Sequence, residues 1–161
     1  MRIVVQRVVD ASVTVDSIVK GKIKRGLLVY LGVAHNDRET DADWLAEKIA
    51  HLRIFNDTEG KMNLSLKDII TDGEDSGVLV ISQFTLLADA RKGRRPSWNG
   101  AAPPEKAKQL YEYFISAVKK YGLECESGEF QAHMNVTYTN DGPVTIILDS
   151  EEKITSAAKD A

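Results

Sequence analysis

The first fifteen residues alternate only in part. Ile3-Val4-Val5-Gln6-Arg7-Val8-Val9 followed by Ala11-Ser12-Val13-Thr14-Val15 is β-branched and mostly apolar, which predicts one long or bent strand. Ile18 to Lys24 and Gly26 to Val33 predict the next two. Between residues 40 and 53 the period changes to that of a helix. Trp44, Leu45, Ile49 and Leu52 share one face, Thr40 is the expected N-cap, and Asp43 falls in the first turn. Asn56-Asp57-Thr58-Glu59-Gly60 reads as a turn, Met62 to Ile70 as a short mixed segment, and Thr71 to Ser76 as a polar loop before a strand over 77–84. A second helix begins at Pro103-Pro104-Glu105. It carries the stripe Ala107, Leu110, Tyr111, Phe114, Val118 and Tyr121, and it ends where Gly122 can supply a left-handed cap. Strands over 133–139 and 143–149 are expected to flank a turn at Asn140-Asp141-Gly142.

This order predicts an α+β fold: mixed or antiparallel sheets forming a partly closed, barrel-like core, with two amphipathic helices outside. A single domain over 1–149 is expected, followed by a polar tail over 150–161 that is frayed or weakly helical. Strict parallel winding fits poorly, because two helices separate about seven strand candidates and no glycine-rich phosphate loop follows the first strand.

Composition narrows the class. With 161 residues and 43% hydrophobic content the chain can bury one ordinary core. No apolar run approaches the roughly 20 residues of a membrane helix, and the first residues lack a signal peptide's apolar core, so a cytoplasmic protein without membrane contact is expected. One cysteine, Cys125, and three scattered histidines give no zinc spacing, so neither a metal nor a cofactor is expected. A net charge of −3 argues against coating nucleic acid through a general positive field. Any RNA contact must be local. Lys20-Gly21-Lys22-Ile23-Lys24-Arg25 reads as a solvated strand edge, while Arg91-Lys92-Gly93-Arg94-Arg95 follows directly on the first of two candidate motifs.

Those motifs are Ser82-Gln83-Phe84-Thr85-Leu86, closing an apolar strand, and Asn140-Asp141-Gly142-Pro143-Val144-Thr145, opening one. Both put small polar groups where a sheet stops and a pocket can begin. A familiar catalytic triad is not in view: His35, His51 and His133 lie outside both motifs and read as ordinary histidines, and the acids flanking Cys125 disfavour its thiolate. Ser82, Gln83 and Thr85, with strand-end N–H groups, can hold a carbonyl and its oxyanion, or can simply satisfy backbone groups where the strand stops. Asn140-Asp141-Gly142 is equally an ordinary hairpin turn, with Pro143 leaving a cis Gly-Pro bond open.

From Met1 to about Asp149 the chain resembles the D-aminoacyl-tRNA deacylases. The resemblance rests on Ser82-Gln83-Phe84-Thr85-Leu86 with Ala88, on Asn140-Asp141-Gly142-Pro143-Val144-Thr145, on Lys92-Gly93-Arg94-Arg95-Pro96-Ser97, and on the opening with Gln6-Arg7-Val8. Trp98 departs from an expected Phe and keeps an aromatic. The resemblance implies hydrolysis of the ester between a D-amino acid and the 3′-terminal adenosine of tRNA, and removal of glycine from mischarged tRNA. It implies a homodimer with two sites at the subunit interface, where the Gly142-Pro143 turn of one subunit excludes L side chains from the other's pocket. Ser82, Gln83, Phe84 and Thr85 would then hold the amino acid and scissile carbonyl. Thr85 as nucleophile stays open beside water assisted by the ribose 2′-OH. Asn140, Gly142 and Pro143 would line the substrate, Met134 and Thr145 the adenosine, and Arg94 and Arg95 the tRNA phosphates. Other readings from the residues are an RNA-binding accessory without catalysis and a small-molecule esterase using Thr85 or Cys125.

Overall fold

The computed structural model describes residues 1–73 and 75–153; most of the expected tail, from 154 on, lies outside the described residues. β1 (Arg2–Val15) is the spine of a six-stranded mixed sheet. β8 (Asn135–Asp149) runs antiparallel along one of its edges. The other edge is shared in line by β2 (Ile18–Ile23), beside Ala11 to Val15, and β3 (Gly26–Gly32), beside Arg2 to Val8. From β3 the sheet continues through β6 (Gly77–Ser82) to β7 (Glu124–Ser127), and these three strands are parallel. Parallel neighbours need crossovers. α1 (Glu39–His51) lies in the first and α3 (Pro104–Lys119) in the second. The first crossover also holds the small pair β4 (Phe55–Asn56) and β5 (Met62–Leu64), and α2 (Leu66–Thr71).

The central strands explain their own sequences. In β3, Leu27, Val29 and Leu31 face the helices while Leu28 faces the inside of the curl, and in β6 Val78 and Val80 alternate with Leu79 and Ile81 in the same way. Both faces are buried, so alternation disappears and the strands read as continuous apolar runs. Curling brings β2 back against β7. A Cβ on Gly21 would stand 2.8 Å from the Ser127 carbonyl, so the two edges touch at backbone distance and the barrel is nearly closed.

Several local expectations are corrected. The segment over 133–149 forms one strand from Asn135 on and no hairpin, because β1 is long enough to pair with both halves of β8. Gln6 faces Thr145 and Val8 faces Asn140, so three more residues stand on β8 than on β1 between these pairs, and Asp141-Gly142-Pro143 loops out of the ladder, next to a one-residue bulge at Val9 on β1. α1 starts from Arg38 rather than Thr40, since the Asp41 carboxylate accepts from Arg38 N at 2.9 Å and caps the turn earlier. The Met62–Ile70 segment contains α2, a third helix, capped by Ser65 and Asp68: Ser65 N donates to Asp68 Oδ2 at 2.8 Å and Asp68 N to Ser65 Oγ at 3.3 Å. β6 stops at Ser82, and Phe84–Leu87 forms a 3-10 turn. β7, four residues long, was not anticipated. Ser150, expected to open the free tail, is buried and bonded through N to the Met1 carbonyl at 2.8 Å. Gly122 has the expected left-handed geometry, φ 77°. Among the described residues no helix is long and apolar enough to cross a membrane.

Candidate active site

The carboxyl ends of parallel strands are where α/β sheets open to ligands, and the principal cavity lies there. It measures about 730 Å³, within the range of small-molecule sites. Leu31 and Val33 from the end of β3, and Ile81, Ser82, Gln83 and Phe84 from the end of β6, form one wall. Pro103, Pro104, Ala107 and Tyr111 from the start of α3 form the second, and Phe130 to Met134 with Val136 the third. His35, Trp98, Ala101 and Ala102 complete the rim.

The first motif is shaped by its strand end. Gln83 N donates to Leu31 O at 2.8 Å, the last bond of the β3–β6 ladder, after which the chain turns. Leu86 N donates to Gln83 O at 3.2 Å and Ala88 N to Thr85 O at 3.0 Å. The N–H groups of Phe84 and Thr85 precede the turn's own bonding and donate to no backbone carbonyl among the described residues. The Gln83 side-chain amide donates to the Thr85 hydroxyl, which is exposed. Phe84, 57% exposed, meets Trp98 edge-on with ring centroids 5.8 Å apart.

Met134 also belongs to the cavity, covering Gly128, where a Cβ would lie 2.4 Å from its sulfur. Tyr111 donates from its hydroxyl to Val80 O at 2.9 Å, and burial pushes its phenol up to about 12. It is a fixed neutral wall. Cys125 is buried outside the cavity, and burial, with Glu126 adding to it, pushes its thiol up to about 12. That removes it as a nucleophile.

The second motif stands elsewhere. Asn140 pins both ends of the looped-out residues, its Nδ2 donating to Arg7 O at 3.0 Å and to Val144 O at 3.1 Å. Thr145 Oγ1 donates to Asn140 Oδ1 at 3.4 Å and accepts from Gln6 Nε2 at 3.3 Å. The Gly142-Pro143 bond is cis, and Gly142 has φ 112°. Arg7, 6% exposed, lies beneath. Its Nη1 donates to Ile54 O at 2.5 Å, and its Nε lies 2.9 Å from Asp141 Oδ2, a charge contact without hydrogen-bond alignment. None of Asn140, Gly142, Pro143 and Thr145 lines the cavity of its own chain. The first motif is tied to Arg2 and the second to Arg7, five residues on, or about 17 Å along β1.

The basic loop is presented rather than spent. Asp89 N donates to Ser97 O at 2.7 Å and Ser97 N to Asp89 O at 2.9 Å, closing a small hairpin. Arg91 is held by both oxygens of Asp89, whose carboxyl its hydrogen bonds keep well below the usual range. Arg94 and Arg95 are exposed, and neither has an ion-pair partner among the described residues. Of the first basic cluster, Lys20 pairs with Glu129 and Lys24 with Asp75.

His35 and His133, read from sequence as ordinary, are on the cavity wall, where His35 Nε2 lies 2.9 Å from Asn99 O. His51 stays outside, edge-on to Tyr121. Phe130 and Gln131 were missed. Gln131, at φ 64°, gave no local signal for its positive φ. Among the described residues no group of three His, Cys, Asp or Glu could hold a metal ion.

The fold and cavity define an α+β protein with a mostly apolar, polar-edged pocket at a parallel strand end. The sequence profile of the family described as D-Tyr-tRNA(Tyr) deacylase matches residues 4–149. A D-aminoacyl-tRNA deacylase of Thermotoga petrophila is 57% identical over 152 residues, covering 94% of this chain and 99% of its own. One from Koribacter versatilis is 57% identical over 153 residues, covering 95% and 99%. A solved structure titled c-Myc DNA Unwinding Element Binding Protein superposes with a TM-score of 0.83 at 38% identity, over 92% of this chain and 98% of that one. The chain belongs to the D-Tyr-tRNA(Tyr) deacylase family.

Proposed function

We propose that this chain is a hydrolase that cleaves the ester joining a D-amino acid to the 3′-terminal adenosine of tRNA, and that it removes glycine mischarged onto tRNA, as a proofreading step of translation in the cytoplasm. The observation that carries the reading is the placement of Ser82, Gln83 and Phe84 on the wall of a 730 Å³ cavity, in a chain of this family.

In this reading Ser82, Gln83, Phe84 and Thr85 hold the amino acid and the scissile carbonyl, with backbone N–H groups near Phe84 meeting the oxyanion. The Thr85 hydroxyl is bonded to an amide that cannot take its proton. Water therefore attacks the carbonyl carbon, assisted by the terminal ribose 2′-OH, and the 3′ oxygen leaves with a proton. Met134 faces the adenosine, and Thr145, which does not line the cavity of its own chain, reaches it from a second copy. Arg94 and Arg95 meet tRNA phosphates. The Gly142-Pro143 loop of a second copy reaches the cavity and aims carbonyl oxygens at the α-carbon, so an L side chain collides while hydrogen or a D side chain passes. The separation of the two motifs within one chain supports a homodimer, because a site using both needs another copy's loop.

Incubating the protein with D-Tyr-tRNA and L-Tyr-tRNA side by side tests this. Release of D-tyrosine with the L ester intact is expected; cleavage of neither ester overturns the reading in favour of RNA binding without catalysis.

A further inference from the structure

The 3-10 turn carrying Phe84 and Thr85 is held from two directions. Beneath it is Gly32, where a Cβ would stand 2.4 Å from Leu87 Cδ2, 3.0 Å from Gln83 O and 3.1 Å from Leu86 Cβ, so the turn rests directly on the backbone of β3. At its far end Arg2 Nη1 donates to Leu86 O at 3.1 Å, while Arg2 Nε donates to Asp149 Oδ2 at 2.9 Å. The Asp149 side chain is 15% exposed, and its other oxygen accepts from Glu151 N at 3.1 Å. One planar guanidinium thus joins the start of β1, the end of β8 and the first motif. The carbonyls ending a helical turn lack partners within it, and a cation there is favoured.

We infer that Arg2, oriented by Asp149, is a positioning residue: it fixes the Phe84–Leu87 turn against the cavity, so that Phe84 and Thr85 meet the scissile ester in a single geometry. This rests on the deacylase reading above. The residue type matters, because two diverging N–H groups in a rigid plane are available to arginine and unavailable to an ammonium. The placement of a mid-chain motif is then set by Arg2, at the start of β1, and Asp149, at the end of β8. A displacement of about 1 Å at a reacting centre is worth roughly 100-fold in rate.

The test is single-turnover cleavage of D-Tyr-tRNA, with thermal melting, by wild type, Arg2→Met, Arg2→Lys and the exchanged pair Arg2→Asp/Asp149→Arg. Arg2→Met keeps the apolar stem. It is expected to lower the saturating rate about tenfold or more while the half-saturating enzyme concentration moves less than about twofold. The exchanged pair is expected to regain the melting temperature and not the rate, since it restores the ion pair without the bond to Leu86 O. A saturating rate unchanged in Arg2→Met, or a rate that returns with stability in the exchanged pair, overturns the inference and leaves Arg2 a staple between β1 and β8. If Arg2→Met fails to fold, Arg2→Lys decides by the same rate criterion. Inactive wild-type protein overturns the deacylase reading itself, and the inference with it.

Discussion

The Arg7 guanidinium occupies the space into which a side chain at residue 142 would grow: a Cβ built on Gly142 lies 2.9 Å from Arg7 Nη2. Arg7 cannot retreat easily, because Ile54 O and Asp141 hold it. At φ 112° residue 142 also has a backbone that L side chains rarely adopt. Gly142→Ala must therefore move the loop, at a cost of about 1 kcal/mol or more in stability. D-Tyr-tRNA cleavage is expected to fall at least about tenfold, the scale of a 1.4 kcal/mol misfit. Full activity in Gly142→Ala would remove this loop from the site.

Thr85→Ala separates two mechanisms by magnitude. Its hydroxyl sits beside an amide, so its loss is expected to reduce the rate by about tenfold, the worth of one hydrogen bond, and leave measurable turnover. Removing a true nucleophile costs on the order of a millionfold. A drop of that size with tRNA binding intact would make Thr85 the attacking group.

The two exposed arginines should be visible as salt dependence. Each phosphate neutralised on single-stranded nucleic acid contributes about 0.7 to the slope of log affinity against log salt. The Arg94→Ala/Arg95→Ala protein is expected to bind tRNA with a slope shallower by about 1.4, as filter binding from 50 to 200 mM salt would read it. An unchanged slope places tRNA elsewhere.

Alkaline pH should loosen the fold through three acids, Tyr111 and Cys125 buried and Tyr30 half-buried. Burial pushes Tyr30 and Tyr111 from 10.0, and Cys125 from 9.0, each up to about 12. In that interval the unfolded chain releases protons that the folded chain keeps. Their contribution is complete below about pH 9 and is lost as pH rises toward 12. The melting temperature is expected to fall between pH 9 and pH 11, less steeply in Tyr111→Phe than in wild type. Parallel curves for the two proteins would contradict the assignment of Tyr111.

What the sequence disclosed follows physical range. The buried strands β3 and β6, the stripe of α3 and the cap at Gly122 depend on neighbours within a few residues, and they were legible. The Asn140-Asp141-Gly142 segment was read as a hairpin because turn chemistry reports that a chain leaves its ladder, and cannot report where it rejoins. The partner β1 decided that. α2 carries the cap Ser65-Leu66-Lys67-Asp68, yet six residues are too few to show a period. The first motif was visible in one stretch, whereas the cavity walls His35, Trp98, Phe130 and His133 come from separate segments that only tertiary packing assembles.

Pairing on either side of the loop shows what the sheet requires. Val8 faces Asn140 and Gln6 faces Thr145, so if residues 141–143 were absent, Val144 would fall opposite Arg7 and the ladder would close between these two pairs. The strand pairing itself does not require Asp141, Gly142 and Pro143, although Asp141 supplies the carboxylate beside the buried Arg7. On the proposed reading, a chain lacking these three residues keeps the strand pairing on both sides and loses the loop that a second copy's cavity would receive.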